Sequence, residues 1–262
     1  MSTIHLNRYF HFTELMRDPA IECALKRYRS DFDGTMQSMF VMTPSHGKTE
    51  IIFFFFHGMD GDCGDAVILR ELVKQQNATV IAFGGRGPAW LADSFIADVK
   101  QMLSQHTEEF YLIGVSMGGT QALSLAALLP QELKEKIRGV VALIPGSNLE
   151  AIANNSTHYR VRNTVIASNS DHKSKSPINL VREYRTQLPF VIFYNEDDTL
   201  LRSDELKVFI NELRKNGHPV ATFTEPGNHN FTFADFDFGE LMQRMGSDIS
   251  IAGAPLLEPH ES

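Results

Sequence analysis

Six consecutive apolar residues, Ile51-Ile52-Phe53-Phe54-Phe55-Phe56, restrict what this chain can fold into more than any other stretch. The run is far shorter than the roughly 20 residues a membrane-spanning helix needs. It also lacks the alternation of a strand with one wet face. A strand that is apolar on both faces needs cover on both sides of its sheet, and helices over a mainly parallel sheet supply it. The phenylalanines of the run therefore read as core packing, not as an aromatic platform.

The remainder of the chain repeats this pattern. Strand-like runs at residues 78–83, 110–115, 139–144, 190–194 and 220–224 alternate with helical patterns near 66–75, 91–105, 117–129, 203–215 and 231–245. Such alternation predicts the α/β class: a three-layer α/β/α sandwich around a mostly parallel central sheet with right-handed crossovers. Ser203 is expected to cap its helix, and an antiparallel edge hairpin is expected around residues 36–42. No repeat or low-complexity linker divides the chain, so residues 1–245 read as one domain. The tail at 246–262, with Pro255 and Pro259, reads as irregular.

One polar stretch departs from the rhythm. Residues 145–188 carry Asn154-Asn155-Ser156, Asn169-Ser170-Asp171 and Lys173-Ser174-Lys175, with a strand-like run at 163–167 and a helical one at 178–187. Two readings stand for it: a long surface connection, or a small lid over a functional site.

Composition narrows the partners. A chain of 262 residues, 43% hydrophobic and 21% charged, can bury a sizeable core without disulfides or metals. Its two cysteines, Cys23 and Cys63, make no disulfide framework. The formal net charge of −8 disfavours phosphate backbones and anionic membrane surfaces, so no nucleic-acid partner is expected. No transmembrane segment is expected either. Residues 1–8 lack a basic start followed by an apolar run, which gives a cytoplasmic location as the expectation.

The chemistry concentrates at Gly114-Val115-Ser116-Met117-Gly118-Gly119, a Gly-x-Ser-x-Gly match between the strand at 110–115 and a helix rich in Ala and Leu. Glycines flank the serine where a side chain would collide with the neighbouring strand and helix. The turn lifts the hydroxyl onto a helix N-terminus, which favours developing negative charge. A serine hydroxyl needs a base, and the base needs an acid to orient it. Both follow later in the chain, each just past a strand: Asn195-Glu196-Asp197-Asp198-Thr199-Leu200, then Glu225-Pro226-Gly227-Asn228-His229-Asn230. His229 is the base candidate. His218 precedes a strand instead of following one, and reads as a surface residue. The strand at 51–56 also runs directly into His57-Gly58-Met59-Asp60-Gly61.

Taken together, Phe56-His57-Gly58, the serine turn, the acidic loop and the His229 loop resemble the α/β-hydrolase superfamily. The likeness is to its esterase and lipase-like branch or to single-domain relatives of the prolyl oligopeptidases, over residues 50 to 230. The resemblance implies an acyl-enzyme on Ser116, with His229 as general base and Asp198 orienting it. It implies no metal or organic cofactor, and a small-molecule ester or other acyl compound as substrate. The acid loop of that family reads Gly-x-x-Asp, which favours Asp198; Asn195 stands in the Gly position, and Asp197 remains the alternative. The backbone N–H groups of Met59 and Met117 are the implied oxyanion donors, with His57 bracing the loop. Thioester, amide and acyl-transfer chemistry on the same triad are the alternatives, and a fold that binds without catalysis is the other class.

Weaker signals have two readings each. Gly84-Gly85-Arg86-Gly87-Pro88-Ala89-Trp90 follows a strand, so Arg86 could bind an anionic part of the substrate and Trp90 could wall a pocket. Otherwise these are a turn with an exposed arginine and a packed tryptophan. Arg160 and Arg162 read as extra anion contacts or as a solvated face, the latter favoured. Asp60, Asp62 and Asp65 lack the downstream glutamate of a calcium loop, Cys63 reads as a small buried thiol, and the ten histidines show no metal-ligand spacing.

Overall fold

The computed structural model describes Leu15 and residues 17–46, 49, 51–168 and 171–229. The expected helix at 231–245 and the tail from 246 lie outside the described residues. Eight strands among them form one sheet: β1 (Ile21–Arg29), β2 (Met36–Pro44), β3 (Ile51–Phe56), β4 (Ala78–Phe83), β5 (Phe110–Val115), β6 (Ile137–Leu143), β7 (Phe190–Asn195) and β8 (Val220–Glu225). Their order is β1-β2-β4-β3-β5-β6-β7-β8. Strands β3 to β8 run parallel, while β2 joins β4 and β1 joins β2 in antiparallel pairs. The edge hairpin is thus longer than the sequence pattern indicates.

Strand β3 explains its own composition. Ile52, Phe54 and Phe56 point into one core layer with α2 (Asp93–Leu103), α3 (Met117–Leu128) and α6 (Ser203–Lys215). Phe53 and Phe55 point into the other, against the 3-10 segment Cys63–Leu69 and its continuation α1 (Arg70–Gln76). The Phe56 ring stacks on Phe83 with centroids 5.4 Å apart, and Phe53 stacks on Tyr111 at 5.0 Å. Each fully buried phenylalanine is worth about 1.5–3 kcal/mol, so this strand anchors both layers.

Residues 145–188 differ from the sequence reading. They form α4 (Leu149–Asn155) and α5 (Tyr159–Ala167), so the run at 163–167 is helical and not a strand. Val161 and Val165, one helical turn apart, bury one face together, and that spacing outweighs the strand preference of the β-branched residues. The helical pattern at 178–187 is only two short 3-10 turns, Pro177–Asn179 and Val181–Glu183. Ser203 is not a cap. The Ser203 N–H closes a turn onto the Asp198 carbonyl at 2.8 Å and its hydroxyl donates to the Glu196 carbonyl at 2.7 Å, which leaves Arg202, at φ 68°, in the capping position. His218 is buried and not on the surface, its ring edge-on to Tyr184 and Phe190 and its Nδ1 3.2 Å from the Leu188 carbonyl.

The topology places the functional edge. From β3 the chain crosses to β4 on one side and then to β5 on the other. Loops leaving β3 and β5 therefore diverge, and a crevice opens at their carboxyl ends, the place where open α/β sheets bind ligands.

Candidate active site

Ser116 sits on that crevice, between β5 and α3, with φ 55° and ψ −115°. A positive φ at a non-glycine residue costs on the order of 1–3 kcal/mol and persists only where the surroundings enforce it. Two bonds do so: the Ser116 N–H donates to the Leu143 carbonyl at 2.8 Å, and the Ser116 carbonyl accepts the Thr120 N–H at 3.0 Å. The glycines answer to contact as well. A Cβ on Gly114 would lie 2.1 Å from the Gly118 carbonyl oxygen, and one on Gly118 would lie 2.0 Å from that of Phe56. Gly119 is less confined, its nearest neighbour being 3.1 Å away.

The loops after β7 and β8 bring two further groups to the serine. Ser116 Oγ is 3.0 Å from His229 Nε2, and His229 Nδ1 is 2.7 Å from Asp198 Oδ2. The neutral tautomer with its proton on Nδ1 satisfies both contacts, leaving Nε2 to accept from the hydroxyl. Asp198 is buried, and its Oδ1 takes the Leu200 and Leu201 N–H groups at 2.8 and 3.0 Å. Asp197 is exposed and turns to Gly227, whose N–H is 3.4 Å from Oδ2. His229 itself has φ 43°. Its loop is laced to the acid loop through Glu196 N–H to Glu225 carbonyl at 3.0 Å and Asp197 N–H to Gly227 carbonyl at 3.2 Å. The Asn228 side chain pairs with Thr199, accepting its N–H at 3.1 Å and donating to Oγ1 at 3.2 Å.

The loop after β3 lies opposite. A Cβ built on Gly58 would be 3.8 Å from the Ser116 Cβ, which puts Gly58 beside the serine. Among the described residues no acceptor takes the Met59 N–H or the Met117 N–H. The latter opens α3, where the first amides have no partner within the helix. His57 is buried and ties two loops together, with Nδ1 2.7 Å from the Gly58 carbonyl and Nε2 3.2 Å from that of Gly84.

Arg86 is placed away from a ligand-binding role. Its guanidinium binds Asp98 Oδ2 at 2.7 Å, Asp33 Oδ2 at 2.6 Å and Ser30 Oγ at 2.8 Å, clamping the β1–β2 turn to α2. The bond to Arg86 holds the Asp33 carboxyl well below the usual range and, with Asp98, pushes the guanidinium up. Trp90 is buried among Met117, Leu149, Ile152, Val161 and Leu201 at φ 42°. Arg160 pairs with Asp60 at 2.7 Å, and Arg162 is exposed. Asp62 and Asp65 form a capping box on the 3-10 segment, and Cys63 is buried. Sequence reasoning missed Thr164, Gln121, Thr199 and Asn228. Only Thr199 and Asn228 carried a usable signal, as neighbours of Asp198 and His229.

A mostly parallel sheet with β2 antiparallel at one side, a serine on a strained strand-to-helix turn and the loops of β7 and β8 converging on it define the chain as an α/β-hydrolase fold. Solved structures share it. An arylesterase superposes with a TM-score of 0.66 at 18% identity, over 88% of this chain and 84% of that one. A thermostable esterase from Pseudomonas putida gives 0.65 at 18%, over 95% and 89%. S-formylglutathione hydrolase from Staphylococcus aureus gives 0.64 at 17%, over 86% and 96%. No protein-family model matches the sequence, and no curated protein sequence does either. No helix among the described residues is long and apolar enough to cross a membrane.

Proposed function

We propose that the chain is a serine hydrolase that cleaves a carboxylic ester through an acyl-enzyme on Ser116. One observation carries the reading: the hydrogen-bonded line from Ser116 Oγ through His229 to the buried Asp198, set on the crevice of the sheet. Esterases and an arylesterase among the structures of the same fold support an ester as the substrate.

In this mechanism Ser116 Oγ attacks the ester carbonyl while its proton passes to His229 Nε2. Asp198 accepts from Nδ1–H throughout and stabilises the imidazolium. The negative charge on the former carbonyl oxygen falls to the Met59 and Met117 amides. Collapse breaks the ester C–O bond, and His229 returns its proton to the departing alkoxide. Water then repeats the sequence on the acyl-enzyme, releasing the acid and restoring the Ser116 hydroxyl.

The test is hydrolysis of chromogenic acyl esters, from acetyl to long chain, by wild type and Ser116→Ala. Turnover by wild type with loss in the variant supports the reading. Failure of both, together with no labelling of Ser116 by a fluorophosphonate, overturns it.

A further inference from the structure

The polar stretch between β6 and β7 is not a loose connection. Helix α5 touches the loop after β3 at two successive residues. Thr164 Oγ1 lies 3.2 Å from Met59 Sδ, and Arg160 binds Asp60 at 2.7 Å. At the turn between α4 and α5, the Ser156 hydroxyl donates to the Leu200 carbonyl of the loop after β7 at 3.0 Å. The α4–α5 pair thus spans the crevice and is tied at both rims.

Thr164 has two further contacts. Its Oγ1 accepts the Trp90 Nε1–H at 3.0 Å, and its single proton is shared between Met59 Sδ and the Val161 carbonyl at 2.9 Å. Trp90 is itself held hard. It is buried, takes a left-handed φ of 42°, and its carbonyl accepts from Gln121 Nε2 at 2.5 Å. Gln121 is buried in α3, five residues past Ser116. A continuous path therefore runs from the nucleophile helix through Gln121, Trp90 and Thr164 to Met59. A strained, buried tryptophan whose only described side-chain hydrogen bond goes to Thr164 fixes that hydroxyl in place. Thr164 in turn fixes the Met59 side chain.

We propose that Thr164 is a positioning residue for the oxyanion loop: through Trp90 and Gln121 it registers the Met59 amide against the helix that carries Ser116. The inference rests on the function proposed above and deepens it. An amide aimed at the oxyanion acts only if its position is preset, and a displacement near 1 Å costs about a hundredfold in rate.

The test compares Thr164→Val, which keeps the shape and removes the hydroxyl, with Thr164→Ser, which keeps the hydroxyl. Ester turnover and the affinity for phenylboronic acid, a tetrahedral mimic bonded to the serine, are both measured. Thr164→Val is expected to lower kcat and boronate affinity together, by about tenfold to a hundredfold, with KM little changed; Thr164→Ser stays near wild type. If Thr164→Val does not fold, Met59→Leu removes the sulfur acceptor and leaves the Trp90–Thr164 pair intact. It is expected to lower the same two quantities. Equal boronate affinity and kcat in wild type and whichever variant folds would overturn the positioning role alone. Absence of Ser116-dependent turnover in wild type would count against the function, and this inference falls with it.

Discussion

Replacing Asp198 by asparagine tests the acid assignment, and the outcome follows from how its two oxygens are used. Oδ1 accepts two backbone N–H groups, from Leu200 and Leu201, and among the described residues Oδ2 accepts only from His229 Nδ1. In Asp198→Asn the amide oxygen must stay with the two backbone donors, so the NH2 group faces the imidazole. Nδ1 then has to accept, the ring proton moves to Nε2, and the nitrogen facing Ser116 is no longer a base. Reversal of that tautomer lowers kcat by about 10⁴-fold, or about 5 kcal/mol of barrier. The fold suffers less. Exchanging charge-assisted bonds for neutral ones costs about 1 kcal/mol, or about 2–4 °C in melting temperature for a chain of this size. Asp197→Asn makes the contrast. That side chain is exposed and holds one long bond, to the Gly227 N–H at 3.4 Å, which an amide oxygen can still accept. Its effect should stay within about 0.5 kcal/mol, or about twofold in turnover. Initial rates on a chromogenic ester and thermal melts of the three proteins decide it. An Asp197→Asn enzyme more impaired than Asp198→Asn would refute the reasoning.

Two further predictions rest on the scaffold. Gly118→Ala places a Cβ 2.0 Å from the Phe56 carbonyl where real Cβ atoms keep at least 3.0 Å, and the obstacle is backbone that cannot rotate away. Overpacking of this kind costs about 3 kcal/mol, so a melting-point drop of about 6–12 °C is expected by scanning fluorimetry; an unchanged melt would mean the turn is looser than described. Burial holds His218 below its ordinary value, so the unfolded chain binds the proton more readily. That contribution to stability is complete above about pH 6.5 and is lost as pH falls through the folded value. His218→Phe should therefore flatten the decline in melting temperature on the acid side of pH 6.5, leaving the share due to His106, which burial also lowers. A variant with the wild-type slope would remove His218 as its source.

The parts of the fold that were legible in the sequence are those where one local pattern decides the outcome. β3 shows on its face that it is covered twice, and the match around Ser116 is legible because its glycines answer contacts within five residues of one another. Residues whose role depends on distant partners were not legible. Arg86 on a glycine-rich loop reads as an anion site, yet Asp33 and Asp98, from a hairpin turn and from α2, bind its Nε, Nη1 and Nη2. His218 reads as exposed because its burial is set by Tyr184, thirty-four positions earlier. Thr164 gives no signal at all. Its neighbours Trp90 and Met59 come from other strand ends, and only the sheet order brings them to α5.

That dependence also accounts for where the strain lies. Among the described residues, seven non-glycine positions have positive φ, and five of them follow the carboxyl ends of strands: Trp90 after β4, Ser116 after β5, Ile144 after β6, Arg202 after β7 and His229 after β8. Ile144 is β-branched, for which this conformation is a true outlier. Each such residue costs on the order of 1–3 kcal/mol, and scattered strain of that size would erode the few kcal/mol by which a domain is stable. Here it is concentrated on one edge, while the central strands behind it, β3 to β7, are largely buried on both faces. The ties at that edge are specific: Leu143 and Thr120 to Ser116, Phe193 to Ile144, Gln121 to Trp90. A sheet this well covered can support an edge at which several loops are bent sharply and held still, which is what the proposed reaction asks of Ser116, His229 and the Met59 amide if they are to act together.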